Sequence, residues 1–472
     1  MVAVFLSALD LTAVATALPT ISSTLDDTKG DYIWVGSAYA LSSTAFIPLS
    51  GNLANVFGRK SIMLASIILF AIGSALAGAA RNMPMMIAAR AVQGIGGGGI
   101  LTLTEIVVAD LVPLADRGLY QGLLALIWAL ASFTGPPIGG ALAQDSKSWR
   151  WLFYLNLPLV AIATVLVLLF LKLNRPQGSV RDKLANVDWI GNGIVLVGTS
   201  LAIIGLTWGR NPVLMARASV YEAKFAVSPV IPRDIVSNRT SFGGLLTVAV
   251  HGVTSISVIY YIPVFFQACF GASPIRSSVD FLPAQLTNTP FAIFWAISIV
   301  GFGLFSTIRA DTSTGKWVGY QIITALGVGP LFVVPMFALL APLPPNRSGS
   351  ALTLFTFTRT FAQTWGITIS GSILQNKLKE NLSAAFVARF PPDIEIAYAT
   401  IPVIRGLEEP LRSQAQAAFS DSMTAIWQTL IGISGLGLLL SLLMKEVPMA
   451  TTTDESYRLK DKTAQQEYIE MR

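Results

Sequence analysis

Stretches of about twenty residues with few charges recur along the whole chain, and nothing else limits its fold as much. A helix rises about 1.5 Å per residue, so about 20 apolar residues cross a hydrocarbon core of about 30 Å. Twelve stretches meet that length: 2–21, 33–54, 62–80, 84–108, 119–143, 152–172, 188–208, 241–269, 283–307, 317–341, 350–374 and 424–444. Of the 472 residues only 12% are charged and 53% are hydrophobic, against about 25% charged in a soluble protein. A water-soluble globule of this size would lack the charge to cover its surface, whereas lipid solvates an apolar exterior. The chain reads as an all-α polytopic membrane protein with about 12 spans. Gly and Pro inside the spans are tolerated where neighbouring helices cover the freed backbone groups.

Lys and Arg in short loops set the orientation. Arg59 and Lys60 follow the second span, Arg117 the fourth, and Lys172, Arg175, Arg181 and Lys183 the sixth. The loop after the first span carries Asp26, Asp27 and Asp31 against one Lys29. Both termini are therefore expected in the cytoplasm, with 446–472 as a polar tail. Residues 376–423 form one long extracytoplasmic segment by span parity, broken by Pro391, Pro392, Pro402 and Pro410. Its Asn381-Leu382-Ser383 sequon lies close to a span end, which disfavours glycosylation. The stretch 209–240 conflicts with this scheme. Parity makes it extracytoplasmic, yet it carries Arg210, Arg217, Lys224, Arg233 and Arg239 against Glu222 and Asp234. The chain also opens directly inside an apolar run, Met1-Val2-Ala3-Val4-Phe5, as an incomplete N-terminus would.

Composition removes several classes of function. One cysteine, Cys269, and one histidine, His251, leave no disulfide and no Cys/His metal centre, and no Ser/His/Asp arrangement to favour an enzyme. No Gly-x-x-x-x-Gly-Lys-Ser/Thr loop is present, so ATP is not the expected energy source. A net charge of +6 reports cytoplasmic loops rather than nucleic-acid binding.

Five segments carry patterns beyond hydropathy. The second span leads into Gly51-Asn52-Leu53-Ala54-Asn55-Val56-Phe57-Gly58-Arg59-Lys60. The plain reading is a cytoplasmic turn, with Gly51 allowing close helix approach, Gly58 a tight turn, and Arg59 and Lys60 meeting acidic helix ends or headgroups. The first span contains Asp10. A carboxylate near mid-membrane costs about 2.5–3.5 kcal/mol, so it should face a cavity or a partner; alternatively the span begins later and Asp10 stays in the interface. The fourth span reads Arg90-Ala91-Val92-Gln93-Gly94-Ile95-Gly96-Gly97-Gly98-Gly99. Gly94, Gly96 and Gly99 match a dinucleotide fingerprint only formally, because no strand precedes them. Gly94 and Gly98 share a helix face, which suits close packing, and Arg90 is the only basic residue of its span. The fifth span holds Gly135-Pro136-Pro137-Ile138-Gly139-Gly140, whose prolines remove two helical donors and predict a kink. Trp149-Arg150-Trp151, with Phe153, Tyr154, Asn156 and Pro158, opens the sixth span as an interfacial anchor. Arg359 is a second intramembrane cation, in the eleventh span. Glu105 and Asp110 read as local helix-end charges, and His251 as a titrating group or a structural donor.

Together these segments resemble the fourteen-span drug:proton antiporter branch of the major facilitator superfamily, in its fungal form, over about residues 5–445. Gly51 to Lys60 resembles the signature loop Gly-x-x-x-Asp-Arg-x-Gly-Arg-Lys, with Asn55 and Val56 in place of its Asp and first Arg. Arg90-x-x-Gln93-Gly94, Gly135-Pro136-x-x-Gly139-Gly140 and the Trp-Arg-Trp-x-Phe-x-x-Asn-x-Pro run resemble further motifs of that branch. The resemblance implies two helical bundles around a central cavity with a midplane site. It implies that Asp10, Arg90, Gln93 and Arg359 serve proton coupling or the substrate cavity. Gly51, Asn55, Gly58, Arg59 and Lys60, with Gly135, Pro136, Gly139 and Gly140, would be conformational motifs. It implies no cofactor and no metal. The partners would be a small-molecule substrate, protons and the bilayer, with no nucleic acid. A monomer in the plasma membrane, or alternatively the vacuolar membrane, is expected.

The domains would be an N-terminal six-helix bundle at 1–173, an inter-bundle segment with one extra span at 174–240, a C-terminal bundle short of a helix at 241–445, and the tail. Fourteen spans are the pattern of that branch, against twelve here. One absent span belongs between Pro212 and Tyr221, the other near 290–300. Two such losses restore overall parity and invert what lies between, which accounts for the basic stretch at 209–240. A truncated or mis-spliced variant, or an incorrect gene model, would have this form. The leading expectation is proton-coupled export of small lipophilic molecules, with Asp10 exchanging a proton beside Arg90. Transport of basic amino acids or iron chelates, and a non-transporting sensor or inactive remnant, are the alternatives.

Overall fold

The computed structural model describes residues 1–25, 33–144, 148–171, 173, 187, 189–208, 237–270, 291–309, 311–382, 386, 404, 406–445 and 447–449. The first helices are α1 (Val2–Thr24), α2 (Ile33–Phe57), α3 (Arg59–Gly78), α4 (Met83–Leu111) and α5 (Arg117–Leu142). The sixth span is split into α6 (Trp151–Tyr154) and α7 (Asn156–Phe170). There follow α8 (Trp189–Trp208), α9 (Arg239–Cys269), α10 (Phe291–Phe305), α11 (Thr314–Val328), α12 (Val334–Leu340), α13 (Ser348–Asn381) and α14 (Leu411–Ser441). Each expected span falls on helix, α11 and α12 sharing one. The part of 283–307 before residue 291 lies outside the described residues, as do 209–236 and the tail from 450.

Local chemistry sets several boundaries. Asn82 caps α4 by accepting the Met85 amide at 2.9 Å, with Pro84 in the first turn. Asn238 caps α9 by accepting from the amides of Thr240 and Ser241. Gly58 turns the chain between α2 and α3 at φ 91°, a conformation that a side chain would strain.

Seven helical stretches among the described residues are long and apolar enough to cross a bilayer on their own, eight if the bent α1 is one span. Helices α2 and α13 carry Ser42, Ser43, Thr44 and Ser50, and Thr353, Thr356, Thr358 and Thr360, a composition for packing on other helices rather than on lipid. Helix α5 continues through Pro136 and Pro137 to Leu142. A bend of 47° lies in α1, where Val2–Val14 and Thr16–Thr24 meet. The hydroxyls of Thr12 and Thr16 in α1 reach the α5 carbonyls of Ala131 and Pro136 at 3.3 and 3.5 Å. The neighbouring helix thus bonds to the backbone of the proline-bearing segment.

The segment 376–423 is shorter than its sequence suggests. Helix α13 runs on to Asn381 and α14 already begins at Leu411, after the Pro410 cap. Leu374, Leu378 and Leu382 pack with Ala415, Phe419 and Met423, which keeps both ends helical. Asn381 donates its amide to Ser422 at 3.0 Å.

The apolar clusters fall into two groups. One set joins α1 to α7, another joins α9 to α14. A single mixed cluster bridges them: Ile106, Ala109 and Leu114 pack with Val248, Met336, Leu339, Leu352 and Phe355. The bridge lies at the end of the helices that carries the Gly58–Lys60 turn. Helix α8 packs beside α2 and α13, and its Asn192 accepts from Asn52 of α2 at 3.1 Å.

Candidate functional site

The centre of the N-terminal group holds a buried ion pair. Arg90 of α4 donates Nη1 to Asp10 Oδ2 of α1 at 2.5 Å, and both side chains are 1% exposed. The other oxygen, Oδ1, accepts from Gln93 Nε2 at 2.9 Å and from Asn156 Nδ2 at 3.0 Å. Gln93 Oε1 accepts from Arg90 at 2.6 Å, and its amide also reaches Ser74 Oγ of α3 at 2.9 Å. Arg90 Nε donates to the Val35 carbonyl of α2. Its guanidinium lies 4.5 Å from the Tyr39 ring and 5.8 Å from the Phe153 ring, and the Tyr39 hydroxyl bonds Ser7. A charge is tolerable in such a place only when paired and hydrogen-bonded, and here every carboxylate oxygen is occupied.

Sequence and packing explain how these groups meet. Arg90 and Gln93 are three apart, one helical turn, so both project to the α1 side of α4. The glycines that follow let α4 settle into its neighbours. A Cβ at Gly94 or Gly98 would overlap the α2 backbone at Tyr39 or Ser43, and one at Gly96 the α3 backbone at Ser66 and Phe70. The glycine run therefore contacts helix backbone, as close packing requires.

The structure brings together Asp10, Arg90 and Gln93 but places Arg359 elsewhere. Arg359 lies in α13, between the rings of Phe332 at 4.0 Å and Phe355 at 4.3 Å, and donates to the Phe332 carbonyl. Glu105 of α4 is within electrostatic reach of it and accepts from Gln121 of α5 at 2.6 Å. His251 of α9 approaches the Val328 carbonyl at 3.1 Å through Nε2.

In the loop motif, Arg59 bonds Asn55 Oδ1 at 2.5 Å and Asp110 Oδ2 at 2.9 Å. Asp110 supplies the charge that Asn55 does not. This corrects the reading of Glu105 and Asp110 as local helix-end charges, because each bonds a side chain of another helix. Lys60 donates to the Leu168 carbonyl at 2.8 Å. A Cβ at Gly51 would overlap Thr353 of α13, and one at Gly349 would come within 3.2 Å of the Arg59 guanidinium. The motif thus sits against the opposite half. Gly135 and Gly139 face Thr12, Ala13 and Thr16 of α1 in the same close manner, beside Pro136. Gly140 is half-buried.

Sequence reasoning did not single out Ser74, Tyr39, Gln121 or Phe332. They are neutral residues of types common in spans, and only the fold brings them to a charge.

Comparison with known proteins agrees with this architecture. An efflux pump of Gibberella moniliformis, FUS6, is 34% identical over 500 aligned positions that take in 97% of this chain and 88% of the relative. The MFS-type efflux pump LUC4 of a Fusarium species is 34% identical over 98% of this chain and 89% of its own length. The FUS6 alignment uses 500 positions for 97% of 472 residues, so about 42 positions of the relative have no counterpart here. Among solved structures, the human organic anion transporter MFSD10 shares the fold at a TM-score of 0.57 and 15% identity, covering 93% of this chain and 98% of that one. Residues 1–390 match the Major Facilitator Superfamily as a family. With both bundles, the buried pair and these relatives in place, the chain belongs to the Major Facilitator Superfamily.

Proposed function

We propose that this chain is a proton-coupled secondary transporter that exports small lipophilic molecules by alternating access. The observation that carries the reading is Asp10, a carboxylate buried with a single counter-charge, Arg90, and two amide donors. Protonation would remove the charge opposite Arg90 while Gln93 and Asn156 go on donating to the remaining carbonyl oxygen. The proton would thus change how Arg90 is held without dismantling the site. The apolar bridge between the halves at the Gly58–Lys60 end supports a cavity that opens at the other end. The efflux-pump names of the fungal relatives support export. Proteoliposomes loaded with rhodamine 6G test this. An imposed pH gradient should drive dye movement, and Asp10→Asn should abolish the dependence on the gradient. Gradient-independent movement, or unchanged transport in Asp10→Asn, would overturn the coupling.

One observation favours a second reading, a membrane protein that binds without transporting. About 42 positions of the FUS6 relative lack a counterpart in an alignment that takes in 97% of this chain over 500 positions. Two spans need about 40 residues. Among the described residues the C-terminal group supplies five spans, α9, α10, α11 with α12, α13 and α14. Saturable dye binding with no flux under any gradient would select this reading.

A further inference from the structure

Where the N-terminal pair is saturated, two buried groups of the C-terminal half are not. His251 is 1% exposed, and its Nδ1 has no hydrogen-bond partner among the described residues. Its Nε2 faces a carbonyl, which can only accept, so Nε2 carries the hydrogen. In the neutral imidazole Nδ1 is then an acceptor. The Nε of Arg359 is also buried and unpartnered, and it is a donor.

Both groups meet the same ring. The Arg359 guanidinium carbon lies 4.0 Å from the Phe332 centroid and the His251 ring 6.1 Å from it, edge-on, so the two are no more than about 10 Å apart. The Trp128 ring of α5 meets Phe332 at 6.2 Å from the N-terminal half. The result is an aromatic cluster with one buried donor and one buried acceptor that no described residue meets. Native structures rarely leave such groups unmet, because a buried donor or acceptor without a partner keeps its full desolvation cost. Glu105 of α4 lies within electrostatic reach of Arg359.

We propose that His251 and Arg359 form the polar anchor of a ligand site whose occupant is a flat aromatic molecule bearing a hydroxyl. The hydroxyl accepts from Arg359 Nε and donates to His251 Nδ1, while the ring packs on Phe332 and Trp128. A methyl ether of the same molecule can accept but cannot donate. The proposal rests on the transporter reading in that a small molecule enters between the halves, but it does not depend on proton coupling.

The test is equilibrium dialysis of the full chain in lipid nanodiscs, with empty nanodiscs subtracted. The probes are 2-naphthol and 2-methoxynaphthalene. The hydroxyl probe should bind about tenfold tighter than the ether, about 1.4 kcal/mol. His251→Gln keeps a donor at the Nε2 position for Val328 but removes the Nδ1 acceptor, so it should erase the preference. His251→Asn, with its amide near the Nδ1 position, should retain it. Arg359→Gln should weaken both probes alike, because the hydroxyl and the ether both accept from Arg359. Thermal melts of each variant confirm folding. Equal affinity for the two probes, absence of saturable naphthol binding, or a preference that survives His251→Gln overturns the proposal. So does equal loss in His251→Asn and His251→Gln. Asp10→Asn separates this from the proton reading, because it should leave the probe preference intact.

Discussion

The two intramembrane arginines invite comparison. Arg90 sits in the N-terminal half against a carboxylate whose oxygens are all engaged by side chains of that half. Arg359 sits in the C-terminal half between two phenyl rings, with a backbone carbonyl for its hydrogen bond and a carboxylate of the opposite half only in electrostatic reach. The first arrangement is closed and local. The second is shared across the halves and leaves Nε without a partner among the described residues. The difference teaches that the same residue type, equally intramembrane, can be the core of a charge network or a cation held between aromatic rings, depending on what answers its donors.

Removing each cation should break or sharpen that contrast, and the largest effect belongs to the first. Arg90→Met leaves Asp10 buried without its counter-charge and should cost about 3–5 kcal/mol. Arg359→Met loses a carbonyl bond and two ring contacts and should cost about 1–2 kcal/mol. Thermal melts followed by fluorescence-detected gel filtration read both. Equal costs would erase the distinction between the sites.

Next in size is the pair that links the motif loop to α4. Asp110→Asn removes the charge from the Arg59 bond and should cost about 1.5–3 kcal/mol. A cysteine placed at Gly349, beside Arg59, should then be alkylated several-fold faster by a water-soluble maleimide. The native Cys269 is buried and gives little background. An unchanged rate would detach Asp110 from the contact between halves.

A further contrast lies between a glycine set into a helix contact and one with open space beside it. Gly98→Val drives a side chain into the Ser43 backbone and should cost about 1–3 kcal/mol. Gly432→Val in α14 meets nothing within 4 Å and should change the melt little. A small cost is also expected where α8 joins α2. Asn52→Leu removes one amide bond to Asn192 and should cost about 0.5–1.5 kcal/mol.

The positions of the helices were legible because apolar length is the one property a bilayer demands. Asp10 and Arg90 were legible for a related reason, since an intramembrane charge is expensive enough to mark itself. Ser74 and Asn156 complete the same network, yet a neutral hydroxyl or amide in a span carries no such mark. Proline chemistry points to α5, but hydroxyls of α1 meet the carbonyls there and the larger bend falls in α1 itself. Asp110 was misread because its partner, Arg59, lies 51 residues away and only tertiary packing brings it close.

The apolar bridge of Ile106, Ala109, Leu114, Val248, Met336, Leu339, Leu352 and Phe355 has a thermal consequence. Any parting of the halves at that end exposes those side chains to water. Exposure of apolar surface raises the heat capacity, so the free energy of parting must curve with temperature as that of unfolding does. Because apolar association weakens on cooling, the grip between the halves loosens in the cold, and the balance between the parted and joined forms becomes a function of temperature as well as of ligand.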